Sequence, residues 1–107
     1  MKTINLYYVL DRLNNTAITS IIPASEHLTA CLGFRNSYIL NKENKIPYKN
    51  LSLVCCGQLN VLENGAYKQN VSYEDWSISG SEVIDFIREE IANRGLDDGF
   101  LDEEDDK

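Results

Sequence analysis

The chain has 107 residues, of which 43% are hydrophobic and 25% charged, and it contains three cysteines. These values are typical of one globular domain with a modest core, and no run approaches the ~20 apolar residues of a membrane-spanning helix. Three cysteines, two of them adjacent, argue against a disulfide scaffold and favour a reducing compartment. The first residues match a signal peptide poorly, because Asn5 interrupts their apolar stretch.

The net charge of −7 is unevenly distributed. Residues 1–96 carry 9 Lys/Arg and 10 Asp/Glu, whereas residues 97–107 carry 7 acids and one lysine. Because like charges repel, we expect one folded domain over 1–96 and a disordered acidic tail over 97–107. The tail is either a solubilising end or a docking strip for a basic partner, and it could also compete with nucleic acid for basic residues of the same chain. The strip consists of Asp102, Glu103, Glu104, Asp105 and Asp106.

The first elements are predicted to form a β-hairpin. From Ile4 to Leu10, β-favouring residues follow a period of two, which predicts a strand over 3–10. An Asn-rich turn follows, and the pattern resumes over 16–22. Pro23 is expected to end the second strand, because it cannot donate to a ladder.

A helix is predicted next, over 25–36, with Ser25 as its N-cap. Gly33 weakens this helix, and residues 38–40 are expected to be extended already. The polar segment before and around Pro47 is interpreted as a loop.

The second half of the chain repeats the order of two strands and a helix. Residues 51–61 carry apolar side chains on both faces, which is typical of a central strand. Asn64-Gly65 predicts a tight turn into a strand over 66–71, and a helix over 81–94 is expected between a Ser79–Glu82 capping box and Gly95. The predicted class is α+β, order ββαββα, with both helices on one face of an antiparallel sheet. An unpaired sheet edge further predicts a homodimer.

Catalytic and metal chemistry find little support. Cys55 and Cys56 should point to opposite faces of a strand, so they cannot share one metal ion and are expected to pack as small hydrophobic residues. His27 is the single histidine and is expected to be a surface or capping residue. No phosphate loop or dinucleotide motif is present. The prediction is a protein that is not an enzyme and that needs no cofactor or metal.

Two groups of residues suit single-stranded nucleic acid, because lysines neutralise phosphates and tyrosines stack on unpaired bases. The alternative is an ordinary polar loop, since Glu43 dilutes the charge. The candidate residues are Lys42, Lys45, Tyr48 and Lys49 before the central strand, and Tyr67 and Lys68 after it.

The segment around the two cysteines resembles the small nonstructural protein of microviruses, chiefly the gokushovirus-like single-stranded DNA phages. The matching positions are Pro47, Asn50, Leu53, Cys56, Gly57, Leu59-Asn60 and Asn64-Gly65. Upstream, the matching positions are Tyr7, Asp11, Pro23, Ala30 and Phe34. The chain departs from the pattern at Leu32, where the family has an arginine, and at Asn50 and Asn60, where it has aspartates.

The resemblance covers about residues 5–66 and implies a phage protein that acts in the cytoplasm of a bacterial host, outside the capsid. It implies a role in single-stranded DNA replication or in the switch from replication to DNA packaging, and it transfers no catalytic motif. The alternative function is a protein-interaction module that binds a basic viral or host protein through the acidic strip.

Overall fold

The computed structural model describes residues 2–96, and within them the chain folds into an antiparallel sheet of six strands and two α-helices. The acidic strip, residues 102–106, lies outside the described residues. The strands are β1 Lys2–Asp11, β2 Thr16–Ala17, β3 Ile22–Ala24, β4 Leu51–Val61, β5 Tyr67–Gln69 and β6 Trp76–Ser79. The helices are α1 His27–Phe34 and α2 Val83–Asn93. The predicted α+β class is confirmed, but the order of elements is βββαβββα.

Two long strands form the centre of the sheet. β1 and β4 pair antiparallel along their whole length, from Lys2 opposite Val61 to Asp11 opposite Leu51. The short strands β2 and β3 lie on the free side of β1, and β5 and β6 lie on the free side of β4. The predicted central strand over 51–61 is confirmed residue for residue.

A β-bulge interrupts β4 at its second cysteine. Leu6 lies opposite Gly57 and Tyr7 opposite Cys55, so Cys56 has no partner in β1. An extra residue reverses the alternation of side chains beyond it. Gln58, opposite Asn5, therefore lies on the same face as Cys55.

The core lies between one face of the sheet and both helices, as predicted. Odd-numbered residues of β1, and those of β4 up to the bulge, pack there against one stripe from each helix. The fully buried side chains include Tyr7, Val9, Leu53 and Cys55 from the sheet, Cys31 from α1, and Val83, Ile87 and Ile91 from α2. A repeat of four residues places the α2 side chains on one face of the helix.

The opposite face of the sheet carries no layer of described residues. The molecule is only 20 Å along its shortest axis, which matches one sheet and one layer of helices. We call this surface the open face. Its apolar residues are Ile4, Leu6, Tyr8, Leu10, Val54, Leu59 and Val61, none of which belongs to the core cluster.

The second predicted strand is divided in two, and Pro23 lies inside β3 rather than ending a strand. Between β2 and β3, the Val9 main-chain N–H donates to the Thr19 hydroxyl at 3.0 Å, so a side chain replaces a ladder acceptor. Pro23 is tolerated because β3 is an edge strand, where a missing N–H leaves no partner unsatisfied.

The start and end of the first helix also differ from the prediction. α1 is preceded by Glu26 rather than capped by Ser25, and no side chain caps it. Of the residues 38–40 that were predicted to be extended, the first two belong to a π-helical turn, Arg35–Ile39. In this turn the Leu40 N–H donates to the Arg35 carbonyl. This wide turn continues α1 instead of ending it.

The sequence did not predict the strand β6, but it did predict the end of α2 at Gly95. β6 contributes two large apolar side chains, too few for a clear alternating pattern. After it, Ser79 accepts from the Ser81 N–H and starts the 3-10 turn Gly80–Glu82 that leads into α2. Gly95 has φ 70°, and the Leu96 N–H donates to the Ile91 carbonyl, the Schellman arrangement that ends a helix.

The Asn64-Gly65 turn joins β4 to β5 as predicted, although β5 covers only Tyr67–Gln69 of the expected 66–71. Gly65 alone in this turn has a positive φ, 85°, so it takes the left-handed position that the turn requires. Among residues 2–96, no helix is long and apolar enough to cross a membrane.

Candidate nucleic-acid interface

The structure separates the six predicted nucleic-acid residues into two groups. Lys42 and Lys45 lie in the loop before β4, and Tyr48 and Lys49 lie in the 3-10 turn Tyr48–Asn50 that leads directly into it. Lys68 lies on β5, opposite Asn60 near the far end of β4. Nine residues separate Leu51 from Asn60, which corresponds to about 30 Å at ~3.3 Å per residue. The two groups therefore lie at opposite ends of the sheet.

Tertiary structure adds a cation to the first group. The Arg12 main-chain N–H donates to the Asn50 carbonyl at 2.9 Å, and its guanidinium donates to the Lys49 carbonyl and, at 3.2 Å, to the Ser79 hydroxyl. We call the resulting cluster the basic end. It consists of Arg12, Lys42, Lys45 and Lys49, all with exposed side chains.

Sequence reasoning missed Arg12 because it lies 37 residues from Lys49 in the chain. A usable signal was present, since β1 and β4 are antiparallel neighbours. The residue that follows β1 must then lie beside the residues that precede β4. Two carboxylates reduce the net positive charge near the basic end. They belong to Glu43 in the loop and Glu82 in the neighbouring 3-10 turn.

Tyr48 occupies a different environment from the lysines around it. Its side chain is half-buried and packs against the core, so only part of its ring is accessible for stacking on a base. Its main chain is held closely as well, because a Cβ placed on Gly80 would lie 1.9 Å from the Tyr48 carbonyl oxygen. The contact between these two 3-10 turns positions Lys49.

At the far end, Tyr67 and Lys68 point to opposite faces of the sheet. Tyr67 is 61% exposed and shares a row with Val61 and Lys2 on the open face. Lys68 is exposed on the face that carries the helices. One tyrosine and one lysine are thus adjacent in sequence but do not form one patch.

A chain of side-chain hydrogen bonds crosses the sheet between these ends. Asn70 donates to Gln58 at 2.6 Å, Gln58 donates to Asn5 at 2.8 Å, and Asn5 donates to the Tyr7 hydroxyl at 2.9 Å. The Tyr7 hydroxyl is in turn 2.7 Å from Nδ1 of His27. The bulge at Cys56 makes this chain possible, because it brings Gln58 to the face on which Asn5 lies.

The prediction that His27 is a surface or capping residue is wrong. Its ring is half-buried and stacks on Trp76, with the ring centroids 3.9 Å apart and the planes at 6°. Burial lowers the pKa of His27, against the opposing influence of Glu90 and Glu26. The residue joins the start of α1 to β1 and β6 through Tyr7 and Trp76. The sequence did not predict that Tyr7 and Trp76 contact His27, because these two residues lie on other elements.

The two adjacent cysteines differ in environment. Cys55 is buried in the core as expected. The prediction that Cys56 is packed as a small hydrophobic residue on the opposite face is wrong, because Cys56 lies at the bulge and is exposed. Cys31 is buried too, and burial raises its pKa to about 12. Within residues 2–96, no group of three or more His, Cys, Asp or Glu side chains could hold a metal ion.

Four of the positions that carry the resemblance to the microvirus protein have a clear structural role in this fold. Tyr7 belongs to the hydrogen-bonded chain, and Asp11 accepts from the Leu13 N–H at 3.0 Å and the Asn14 amide at 2.8 Å in the turn after β1. Phe34 and Leu53 are buried in the core. Comparison of the chain with family models, curated proteins and solved structures gives no match.

Proposed function

We propose that this protein is a non-enzymatic accessory protein of a small single-stranded DNA phage. In the cytoplasm of the bacterial host, it associates with single-stranded DNA during replication or at the switch to packaging. The resemblance over residues 5–66 supports this biological setting. The observation that supports contact with DNA is the basic end, where Arg12 lies beside Lys49 and the loop that precedes Lys49 carries Lys42 and Lys45.

The shape of the basic end favours a single strand as the ligand. Its cations lie on a loop and a short 3-10 turn, and neither offers a long helix that would enter the major groove of a duplex. A flexible single strand can follow such an irregular rim through its phosphates. Binding of this kind is mainly electrostatic and depends strongly on salt.

The far end provides a second contact only for a strand long enough to reach it. The distance of about 30 Å between the two groups corresponds to roughly nine stacked nucleotides at ~3.4 Å each. A short oligonucleotide should therefore depend on the basic end alone. A longer one should also depend on Tyr67 and Lys68.

The test measures the binding of fluorescein-labelled oligothymidine by anisotropy over a series of salt concentrations. The triple variant Lys42→Ala, Lys45→Ala and Lys49→Ala should reduce the slope of log K against log salt by about 2, since each phosphate contact in a single strand contributes ~0.7. Arg88→Ala is the control for Lys49→Ala, because it removes one exposed positive charge from α2. Equal effects of these two single substitutions would contradict a site at the basic end.

The double variant Tyr67→Ala and Lys68→Ala tests the second contact separately. It should bind a short oligothymidine as the wild type does and a long one more weakly. If neither the wild-type chain nor the chain without residues 97–107 binds oligothymidine at low salt, the proposed association with DNA is wrong.

A second candidate function is a protein-interaction module. The open face favours it, because a contiguous exposed apolar surface is a common mark of protein contact. In this alternative, the acidic strip Asp102–Asp106 captures a basic viral or host protein. Binding of a labelled oligoarginine peptide that is lost on deletion of residues 97–107, without any binding of oligothymidine, would select this function.

A further inference from the structure

The open face is an apolar surface of the sheet that no described residue covers. It runs along β1 and β4 from Lys2 to Leu10 and from Val61 back to Val54. Its aliphatic side chains shield one another only in part, and all of them are intermediate in exposure. We propose that this face packs against the open face of a second copy of the chain, forming a homodimer in which two sheets stack.

The sheet face as a whole reaches the size of a small interface between proteins. Ten residues of β1 extend about 33 Å at ~3.3 Å per residue, and four strand positions side by side span about 19 Å at ~4.8 Å each. The apolar centre on β1 and β4 takes up about half of this width and the short outer strands the rest, so two copies would bury at most about 1,200 Å², the lower limit of a standard interface. Stacked sheets pack ~10 Å apart, a distance that aliphatic side chains on both sides would fill.

The distribution of charge favours a second copy over nucleic acid as the occupant. Within its strands, the open face carries no carboxylate, and its cations, Lys2 and Arg12, lie at opposite ends. One carboxylate, Asp75 before β6, borders the face beside Tyr8 and Val54. The centre thus carries no cation and has a carboxylate at its margin, whereas a strand of DNA would need cations along its path. An apolar centre with a polar rim is the usual composition of a protein interface.

Symmetry supports the same occupant. A two-fold interface uses one surface twice, so a neutral apolar face is automatically complementary to itself. The sheet edges are a poorer route to a dimer, because the four outer strands are only two to four residues long. The homodimer itself remains a prediction. The sequence predicted it from an unpaired sheet edge, whereas we now place its interface on the open face.

The oligomeric state of the full chain tests the proposal by sedimentation equilibrium over a range of concentrations. The wild type should form a dimer, and Leu59→Lys should weaken dimerisation at least ~100-fold, because each copy would bring a charge into an apolar interface. Leu13→Lys and Val71→Lys are matched controls, since these side chains are 75% and 89% exposed elsewhere on the surface. Both controls should dimerise like the wild type, and circular dichroism should show that all variants are folded.

Cys56 reports directly on the surface involved. It is exposed beside Tyr8 and Val54, whereas Cys31 and Cys55 are buried. Its reaction with a maleimide should slow as the wild-type concentration rises through the dissociation constant, and it should stay fast in Leu59→Lys.

Three results would overturn the proposal. The first is a wild-type chain that stays monomeric at every concentration. The second is a dimer that persists in Leu59→Lys while Cys56 remains freely reactive, which would place the interface elsewhere. The third is protection of Cys56 in the monomer. If this protection is lost when residues 97–107 are deleted, the tail is the occupant of the open face. If it requires added oligothymidine, the occupant is DNA. The proposed dimer does not depend on the DNA-binding function, because sedimentation and the Cys56 reaction are both measured without DNA, except where oligothymidine is added as a control.

Discussion

The hydroxyl of Tyr7 lies 2.7 Å from Nδ1 of His27 and joins the first strand to the start of α1. Because Asn5 donates to the same hydroxyl, Tyr7 is free to donate its own proton to Nδ1. When Tyr7 donates in this way, the histidine is neutral and carries its proton on Nε2. Burial of the ring on Trp76 favours the same state, and desolvation accordingly lowers the pKa of His27.

The first prediction concerns the effect of pH on stability. In the folded protein, the pKa of His27 lies below its ordinary value of 6.5. At pH values between the folded pKa and 6.5, the unfolded chain therefore binds more protons than the folded one. The contribution of His27 to stability is thus complete above ~6.5 and is lost as pH falls from there towards the folded pKa. Urea unfolding between about pH 7.5 and 5 should show this loss, with a slope below ~1.4 kcal/mol per pH unit.

His27→Gln provides the control for this measurement, because glutamine does not titrate. Its slope should be flatter over the same range, since the chain contains no other histidine. The lowered pKa values of Asp11 and Glu26 act further down, as pH falls below their ordinary values of 3.8 and 4.5. Equal slopes for both proteins above about pH 5 would contradict the assigned role of His27.

The second prediction concerns the two glycines Gly80 and Gly33. A Cβ on Gly80 would lie 1.9 Å from the Tyr48 carbonyl oxygen, so Gly80→Ala must separate the two 3-10 turns. We expect a loss of about 2 kcal/mol or more in the free energy of unfolding, within the range for overpacking. Gly33→Ala is the opposite case, because nothing lies within 4 Å of its Cβ position in α1. That substitution should stabilise the protein by up to ~1 kcal/mol through helix propensity.

Denaturant unfolding of both variants distinguishes these effects. Because Gly80 also holds the turn that carries Lys49, Gly80→Ala should weaken oligothymidine binding as well. A Gly80→Ala protein as stable as the wild type would show that the two turns do not approach closely.

The third prediction concerns the adjacent cysteines. Cys55→Ala should destabilise the protein by ~1 kcal/mol, because it removes a buried side chain from the core. Cys56→Ala should change stability by less than ~0.5 kcal/mol, since Cys56 is exposed at the bulge. Both variants and the wild type should contain no zinc. Elemental analysis that finds one metal ion per chain would disprove the packing role.

The fourth prediction concerns the acidic tail and DNA. We expect the acidic tail, with its net charge of −6 over residues 97–107, to compete with DNA at high effective concentration for cations of the same chain. Deletion of these residues should therefore tighten oligothymidine binding, and more so at low salt, because both contacts are screened.

The lysine variant of the basic end provides the control for the deletion. If Lys42, Lys45 and Lys49 are already alanine, removing the tail should bring little further gain. An equal gain in both backgrounds, measured by anisotropy, would show that the tail does not act through the basic end.

Local patterns in the sequence were sufficient where the cause of a structure is itself local. The strand over 51–61 was predicted with its bounds, because apolar residues on both faces require burial between neighbours. The ends marked by Gly65 and Gly95 were also predicted, since a positive φ is accessible to glycine whatever surrounds it. The two helices were located for the same kind of reason, namely apolar side chains at helical spacing.

Tertiary pairing decided the rest. Pro23 could remain in a strand only because that strand lies at the edge, and Arg12 reached Lys49 only because β1 and β4 align. The bulge at Cys56 follows from the register between two distant segments, and it determines which side chains join Tyr7 and His27. The sequence by itself therefore determined the α+β class, the central strand, the positions of the two helices and the charge of the chain. The partners of His27, the exposure of Cys56 and the extent of the open face depended on strand register, which contacts between distant residues set and which no local pattern encodes.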